Sequence, residues 1–195
     1  MIDTTFIQML KVVQMYHGDQ YRDATEKIPY WHHCYGVATL LLEYINQAGE
    51  VPADICETMI LAALGHDLYE DTDIPRAEIL NKFGPVVDEY IFALTNEQSD
   101  ADRAQYIEKL ANDCDEVILI KMADMLDNLT SVYGSIVTLG KPWLKDYFLP
   151  IMEDTIVVVN NHQFDKYHQT SVTLKTAVNT SLSLLRKAQD DLLER

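Results

Sequence analysis

Leu61-Ala62-Ala63-Leu64-Gly65-His66-Asp67-Leu68-Tyr69-Glu70-Asp71-Thr72-Asp73 is the stretch on which the reading of this chain turns. It opens as an apolar helical run and ends in a cluster of ionisable groups. On a continuous helix His66 and Glu70 share one face, and so do Asp67 and Asp71. A His-Asp pair alone is common, and acidic residues after a helix are often a solvated loop. Here, however, the carboxylates of Asp67, Glu70 and Asp71 crowd one imidazole. A purely structural helix end gains little from that repulsion, and a divalent cation would relieve it.

Working outward, a second segment demands the same explanation. Glu116-Val117-Ile118-Leu119-Ile120-Lys121-Met122-Ala123-Asp124-Met125-Leu126-Asp127-Asn128-Leu129 begins as an unbroken apolar run, which predicts a central helix. Asp124 interrupts it. A carboxylate on a buried helix must be paired, protonated or bound to a metal. Lys121, three residues earlier, offers a structural partner, and Asn128 lies one turn later on the same face. A third contribution is His32-His33 at the start of another predicted helix. Either histidine could be structural, or could face His66 across a metal. Two imidazoles and two carboxylates suit Mn²⁺, Fe²⁺, Ni²⁺ or Zn²⁺ better than Ca²⁺.

The remaining chain is consistent with one all-α domain. The 195 residues are 48% hydrophobic, enough for a core, with only seven Gly and six Pro. Helices are predicted from Thr4 or Thr5 to Tyr16 and from Trp31 to Gln47. In the first, Phe6, Met9, Leu10, Val13 and Met15 face inward. A third runs from Pro52 to about Leu68. A short one after Pro75, capped by Asp73, buries Ile79, Leu80 and Phe83. Others follow over Val86–Leu94, from a capping box at Ser99 to Ala111, and from Trp143 to Asn160 with a bend near Pro150. Gln20 to Lys27 is polar and reads as a loop. A terminal helix after Gln169 carries Leu174, Val178, Leu182 and Leu185 at helical spacing. It is the natural place for a subunit contact in a homo-oligomer. His162 and His168 have no acidic cluster beside them in sequence and are expected at the surface.

The net charge of −16 argues against binding nucleic acid or an anionic membrane. It leaves room for a small phosphorylated substrate if metal or local basic groups offset the field. Cys34, Cys56 and Cys114 form no disulfide or zinc spacing. No leader pattern and no membrane-spanning run is read, so a cytoplasmic protein is expected.

The motifs together resemble the HD-superfamily phosphohydrolases. More closely, they are similar to the hydrolase domain of the RelA/SpoT alarmone enzymes and the stand-alone small alarmone hydrolases. Gln20-Tyr21-Arg22 resembles that family's Q-x-R. Pro29-Tyr30-Trp31-His32-His33 resembles P-Y-x-x-H, and His66 to Thr72 resembles H-D-x-x-E-D-T. Lys121 to Leu129 resembles K-x-A-D-x-x-x-N-L, and Asp146-Tyr147-Phe148 weakly resembles E-Y-F. The resemblance covers about residues 5 to 160. It implies an HD-type helical bundle over 1–165 with a helical extension, 166–195, packed on the same domain. It implies a Mn²⁺-dependent enzyme, other first-row divalent metals being alternatives, that removes pyrophosphate from the 3′ position of guanosine tetra- and pentaphosphate. It also selects His33 over His32 and implies His33, His66, Asp67 and Asp124 as metal ligands. Glu70 and Asp71 would handle water. Arg22 would face the base and Asn128 the nucleotide near the metal, with Lys121 and Tyr147 as further substrate contacts.

The chain departs from the family at Cys34, where Pro is usual after the first metal histidine. The intervals between Arg22 and Pro29 and around Asn46 to Asp54 are longer. Two alternatives therefore stand beside the alarmone reading. One is an HD phosphohydrolase for another nucleotide, and the other is an HD domain that binds a nucleotide without turnover.

Overall fold

The structure, a computed structural model, describes residues 4–23, 27–96 and 100–193. It is all-helical apart from one small hairpin. Helix α1 spans Thr4–His17 and is followed by strands β1 (Tyr21–Asp23) and β2 (Ile28–Pro29), paired antiparallel with Tyr21 opposite Pro29. Helices α2 (Trp31–Ala48), α3 (Ala53–Gly65), α4 (Leu68–Asp71), α5 (Arg76–Phe83), α6 (Pro85–Leu94) and α7 (Asp100–Ala111) come next. Helix α8 covers Asp115–Trp143, with a break at Gly140 (φ 84°, ψ 172°). A π-helical turn over Leu144–Phe148 leads into α9 (Leu149–Asn161), and α10 spans His168–Leu193.

The centre is built from α2, α3 and the first half of α8. Residues Met59 to Gly65 of α3 are all buried, as are Val117, Ile118, Leu119, Ile120, Met122 and Ala123 of α8. Apolar residues all round a helix require neighbours all round it. For α8 these are α2, α3, α6 and α10. Helix α10 packs against α8, α2 and α9, and Leu174, Val178, Leu182 and Leu185, the four positions expected from its spacing, are all buried.

Two buried carboxylates tie the C-terminal part to this centre. Asp115, at the start of α8, accepts hydrogen bonds from the backbone N–H groups of Asp165 and Lys166 at 3.0 and 2.8 Å. It also lies 2.8 Å from His162 Nε2. Glu116 accepts from Tyr167 Oη at 2.9 Å. His162 is therefore a paired, largely buried residue rather than the surface residue expected, because the chain folds it back onto an acid 47 residues away. His168 is exposed, as expected.

Several local expectations change. The polar loop from Gln20 contains the hairpin, because its backbone pairs across to Pro29 and Gln20 O accepts from Tyr30 N at 2.9 Å. Asp73 does not cap α5: Pro75 holds that position, with no side-chain cap. Met15 and Leu80 are 61% and 45% exposed, and Val12 is buried instead on the inward face of α1. Ser99 lies outside the described residues. The third helix ends at Gly65 rather than Leu68, so the His-Asp motif sits on a break rather than on a continuous helix.

Candidate active site

That break assembles the site. His66 caps α3 and turns its Nδ1 back to Ala63 O at 2.8 Å. Asp67 follows at φ −94°, ψ 0°, the bridge region used at turns, and starts the one-turn helix α4. The two side chains thus leave the core helix together and meet His33 from α2 and Asp124 from α8. His33 Nε2 lies 3.5 Å from Asp67 Oδ2 and 3.2 Å from Asp124 Oδ1. His66 Nε2 lies 3.0 Å from Asp67 Oδ2 and 3.5 Å from Asp124 Oδ1. His33, His66 and Asp124 are buried, and their donor atoms lie within 4.8 Å of one another.

The surroundings fix these groups. Tyr30 Oη donates to Asp67 Oδ2 at 2.8 Å. Asp124 accepts from Lys121 Nζ at 2.7 Å and from Asn128 Nδ2 at 2.6 Å. The structural pairing with Lys121 that sequence allowed is therefore present, and Asp124 still turns its Oδ1 to both imidazoles. Burial penalises the charges of Asp67 and Asp124. The adjacent His66 for Asp67, and Lys121 for Asp124, outweigh that penalty and hold both carboxyls below the usual range. Burial likewise opposes protonation of His66, but Asp67 and Asp124 raise its pKa above the ordinary value.

Glu70 behaves differently. Burial and the nearby Asp67 push its pKa up to about 7, against the Asn96 N–H, which donates to Oε2 at 2.9 Å. Asp71 is also raised, by burial and by Asp67. The break thus separates acids that stay ionised, Asp67 and Asp124, from one poised near neutrality. That division of labour is what proton transfer at neutral pH requires.

These residues line a cavity of about 330 Å³, with Tyr21, Arg22, Lys121, Asn128, Trp143 and Tyr147 among its other walls. Arg22 donates to Asn128 Oδ1 at 3.1 Å and to Ser131 Oγ at 2.6 Å. Tyr147, on the π-helical turn, is 60% exposed at the cavity wall. Nine of the ten site residues proposed from the sequence therefore border one space, and His66 lies behind it against His33, Asp67 and Asp124.

A divalent cation fits this donor set. His66 Nε2 is buried and, despite its short contacts, has no hydrogen-bond partner. With Nδ1 given to Ala63 O, a neutral ring would turn its Nε2 lone pair towards two carboxylate oxygens. Lone pairs facing carboxylates repel unless a cation or proton lies between them. The spacings of 3.0–3.5 Å place the four side chains within reach of one ion.

Sequence reasoning missed Asp127, whose Oδ2 lies 2.7 Å from His33 Nδ1 and 3.2 Å from Arg22 Nη2. It also missed Tyr30, the donor to Asp67, and Arg103, which borders the cavity and pairs with Asp154. Asp127 lies within the quoted α8 motif, one turn from Asp124. That spacing was the available signal.

An all-helical bundle with a His-Asp quartet, three of its members buried, at the foot of a polar cavity is the arrangement of an HD-type hydrolase. No protein-family model matches the chain. It is 34% identical over 129 residues to guanosine-3′,5′-bis(diphosphate) 3′-pyrophosphohydrolase MESH1 of Drosophila melanogaster, covering 64% of this chain and 67% of that one. It is 34% identical over 116 residues to MESH1 of Danio rerio, covering 58% of this chain and 61% of that protein, so less than two thirds of the fish relative is spanned. The fold matches a solved structure described as a metazoan orthologue of SpoT that hydrolyses ppGpp and plays a role in starvation responses. The TM-score is 0.73 at 23% identity, over 94% of this chain and 97% of that one. The chain belongs to the RelA/SpoT-type alarmone hydrolase family that MESH1 represents.

Proposed function

We infer that this chain is a metal-dependent hydrolase that removes the 3′-pyrophosphate of guanosine tetra- and pentaphosphate, leaving GDP or GTP. The observation that carries the reading is the convergence of His33, His66, Asp67 and Asp124 in a cavity that also holds Glu70. These four residues would hold a divalent cation, with Mn²⁺ the first choice. Once bound, the ion would polarise the phosphoryl group and make a water acidic enough to attack near neutral pH. Glu70 takes the proton from that water, and Asp71 helps orient it. The water oxygen bonds to phosphorus as the phosphorus–O3′ bond breaks, and the proton held by Glu70 passes to O3′, which leaves as a hydroxyl.

Lys121 balances the second oxygen of Asp124 and keeps that carboxylate ionised. Arg22, Asn128 and Tyr147 bind the nucleotide along the cavity wall. The partner is a small nucleotide rather than a nucleic acid, in keeping with the net charge of −16. Among the described residues no helix is long and apolar enough to cross a membrane. The three free thiols suit the cytoplasm. The extension from residue 166 belongs to the same domain in this reading, through the packing of α10 on α8, and its outer face offers a contact for a second copy.

The test is product analysis. Metal-stripped protein is given guanosine 3′,5′-bis(diphosphate) with and without Mn²⁺, beside Asp67→Ala and Glu70→Gln. Mn²⁺-dependent release of pyrophosphate and GDP, lost in both variants, is expected. Metal binding without turnover would remove this substrate and turn attention to other nucleotides.

A further inference from the structure

The orientation of His33 depends on a carboxylate that the proposed reaction does not use. Asp127 stands on α8 one turn from Asp124, and its Oδ2 is 2.7 Å from His33 Nδ1. A carboxylate only accepts, so Nδ1 carries a proton, and with a cation in the site Nε2 would present its lone pair to it beside Asp67 and Asp124. Arg22, from β1, holds the same oxygen at 3.2 Å. Its other bonds, to Asn128 and Ser131, anchor it along α8. The longer contact to Arg22 leaves His33 as the closer partner.

The seat for Asp127 is made by a glycine. Gly36 lies on α2 one turn beyond His33, where glycine weakens a helix relative to alanine. A Cβ there would lie 2.4 Å from Asp127 Oδ1 and 3.3 Å from its Cγ. The Asp127 carboxylate would have to shift to admit it, which disturbs the contacts of Oδ2 to His33 and Arg22. The close approach of α2 to α8 at this point thus accounts for a glycine inside the helix.

We propose that Asp127, seated against Gly36 and braced by Arg22, is a positioning residue that sets the tautomer and aim of His33 and thereby the cation affinity of the site. The proposal rests on the metal reading of the site. Carboxylates behind metal-binding histidines orient the ring and raise its basicity, and their loss typically weakens metal binding by about 10–100-fold.

The experiment titrates metal-stripped, full-length protein with Mn²⁺, without substrate, and follows the free ion by its paramagnetic resonance signal. Circular dichroism and melting check that each variant is folded. Asp127→Ala is expected to weaken binding by about 10–100-fold. Asp127→Asn, which keeps an acceptor for Nδ1, is expected to lose less. Gly36→Ala is expected to weaken binding comparably to Asp127→Ala, and the double variant no further than Asp127→Ala alone, because nothing is left to displace. In the unsubstituted protein, nitrogen-15 spectra of the His33 ring are expected to show the proton on Nδ1. Folded Asp127→Ala that binds Mn²⁺ as tightly as the parent would overturn the proposal. So would multiplying losses in the double variant. If the variants fail to fold, a bare Nδ1 on His33 in the parent overturns it. A parent protein that binds no Mn²⁺ would overturn the metal reading as well.

Discussion

Replacing Glu70 with glutamine should make the metal-free protein more stable at alkaline pH while removing its hydrolysis. The native pKa of this carboxyl is about 7 against an ordinary 4.5, owing first to burial and then to Asp67. A raised carboxyl pKa means that the folded state holds the proton more tightly than the unfolded chain. Stability is then unpenalised below the unfolded value of 4.5 and falls as pH rises towards 7. At about 1.4 kcal/mol per tenfold in proton affinity, the charged form costs about 3 kcal/mol above pH 7. Glutamine copies the protonated shape and still offers an oxygen to the Asn96 N–H. Urea unfolding of chelator-treated protein is the assay. The variant should gain up to about 3 kcal/mol at pH 8, or about 6–12 °C in melting temperature for a chain this long. The gain should shrink towards pH 5. Added Mn²⁺ should narrow it at pH 8, because a nearby cation favours the ionised carboxylate. Hydrolysis should fall by about 10²–10⁴-fold. Equal stability at pH 8, or a gap independent of pH, would refute the reasoning.

Three further outcomes are expected. Asp124→Ala should destabilise the protein by about 3 kcal/mol besides abolishing metal binding, because it leaves the Lys121 ammonium unpaired; adding Lys121→Met should recover most of the stability and none of the binding. Asp115→Ala should cost about 2–4 kcal/mol in urea unfolding, since it strips the acceptor from His162 and from two backbone N–H groups. Tyr147→Ala should raise KM with an unchanged melting temperature, because the ring is 60% exposed at the cavity wall; an unchanged KM would remove it from the substrate contacts.

Much of the helical layout was readable because two segments bury all their faces. In α3 and α8 long apolar runs leave little choice but a central helix. The amphipathic α10 was equally plain, with its four expected apolar positions all buried. Misreadings fell where a distant partner overrides local pattern. The polar stretch after Gln20 forms a hairpin because it pairs with Pro29, and His162 is drawn inward by Asp115, 47 residues away. The break after Gly65 is of the same kind. Local sequence favours continuing the helix, but His66 bonds back to Ala63 O and turns with Asp67 towards His33 and Asp124.

The site shows the same division more sharply. Residues that must be charged in an apolar setting announce themselves, and Asp124 does so because no neighbour in its run is polar except Lys121. Asp127 offers only its spacing one turn from Asp124, since an acid beside polar neighbours such as Asn128 is ordinary in a helix. Its meaning comes only from the approach of α2, where a missing side chain at Gly36 admits its carboxylate beside His33. Ligand identity is thus a property of single residues in a pattern, whereas ligand aim is a property of two helices at contact distance. The pH behaviour belongs to the second kind too. Glu70 and Asp67 are both acids of one motif, and nothing in their spelling separates them. What separates them is that Asp67 faces two imidazoles while Glu70 faces Asp67. One therefore stays ionised, and the other is free to take a proton near pH 7.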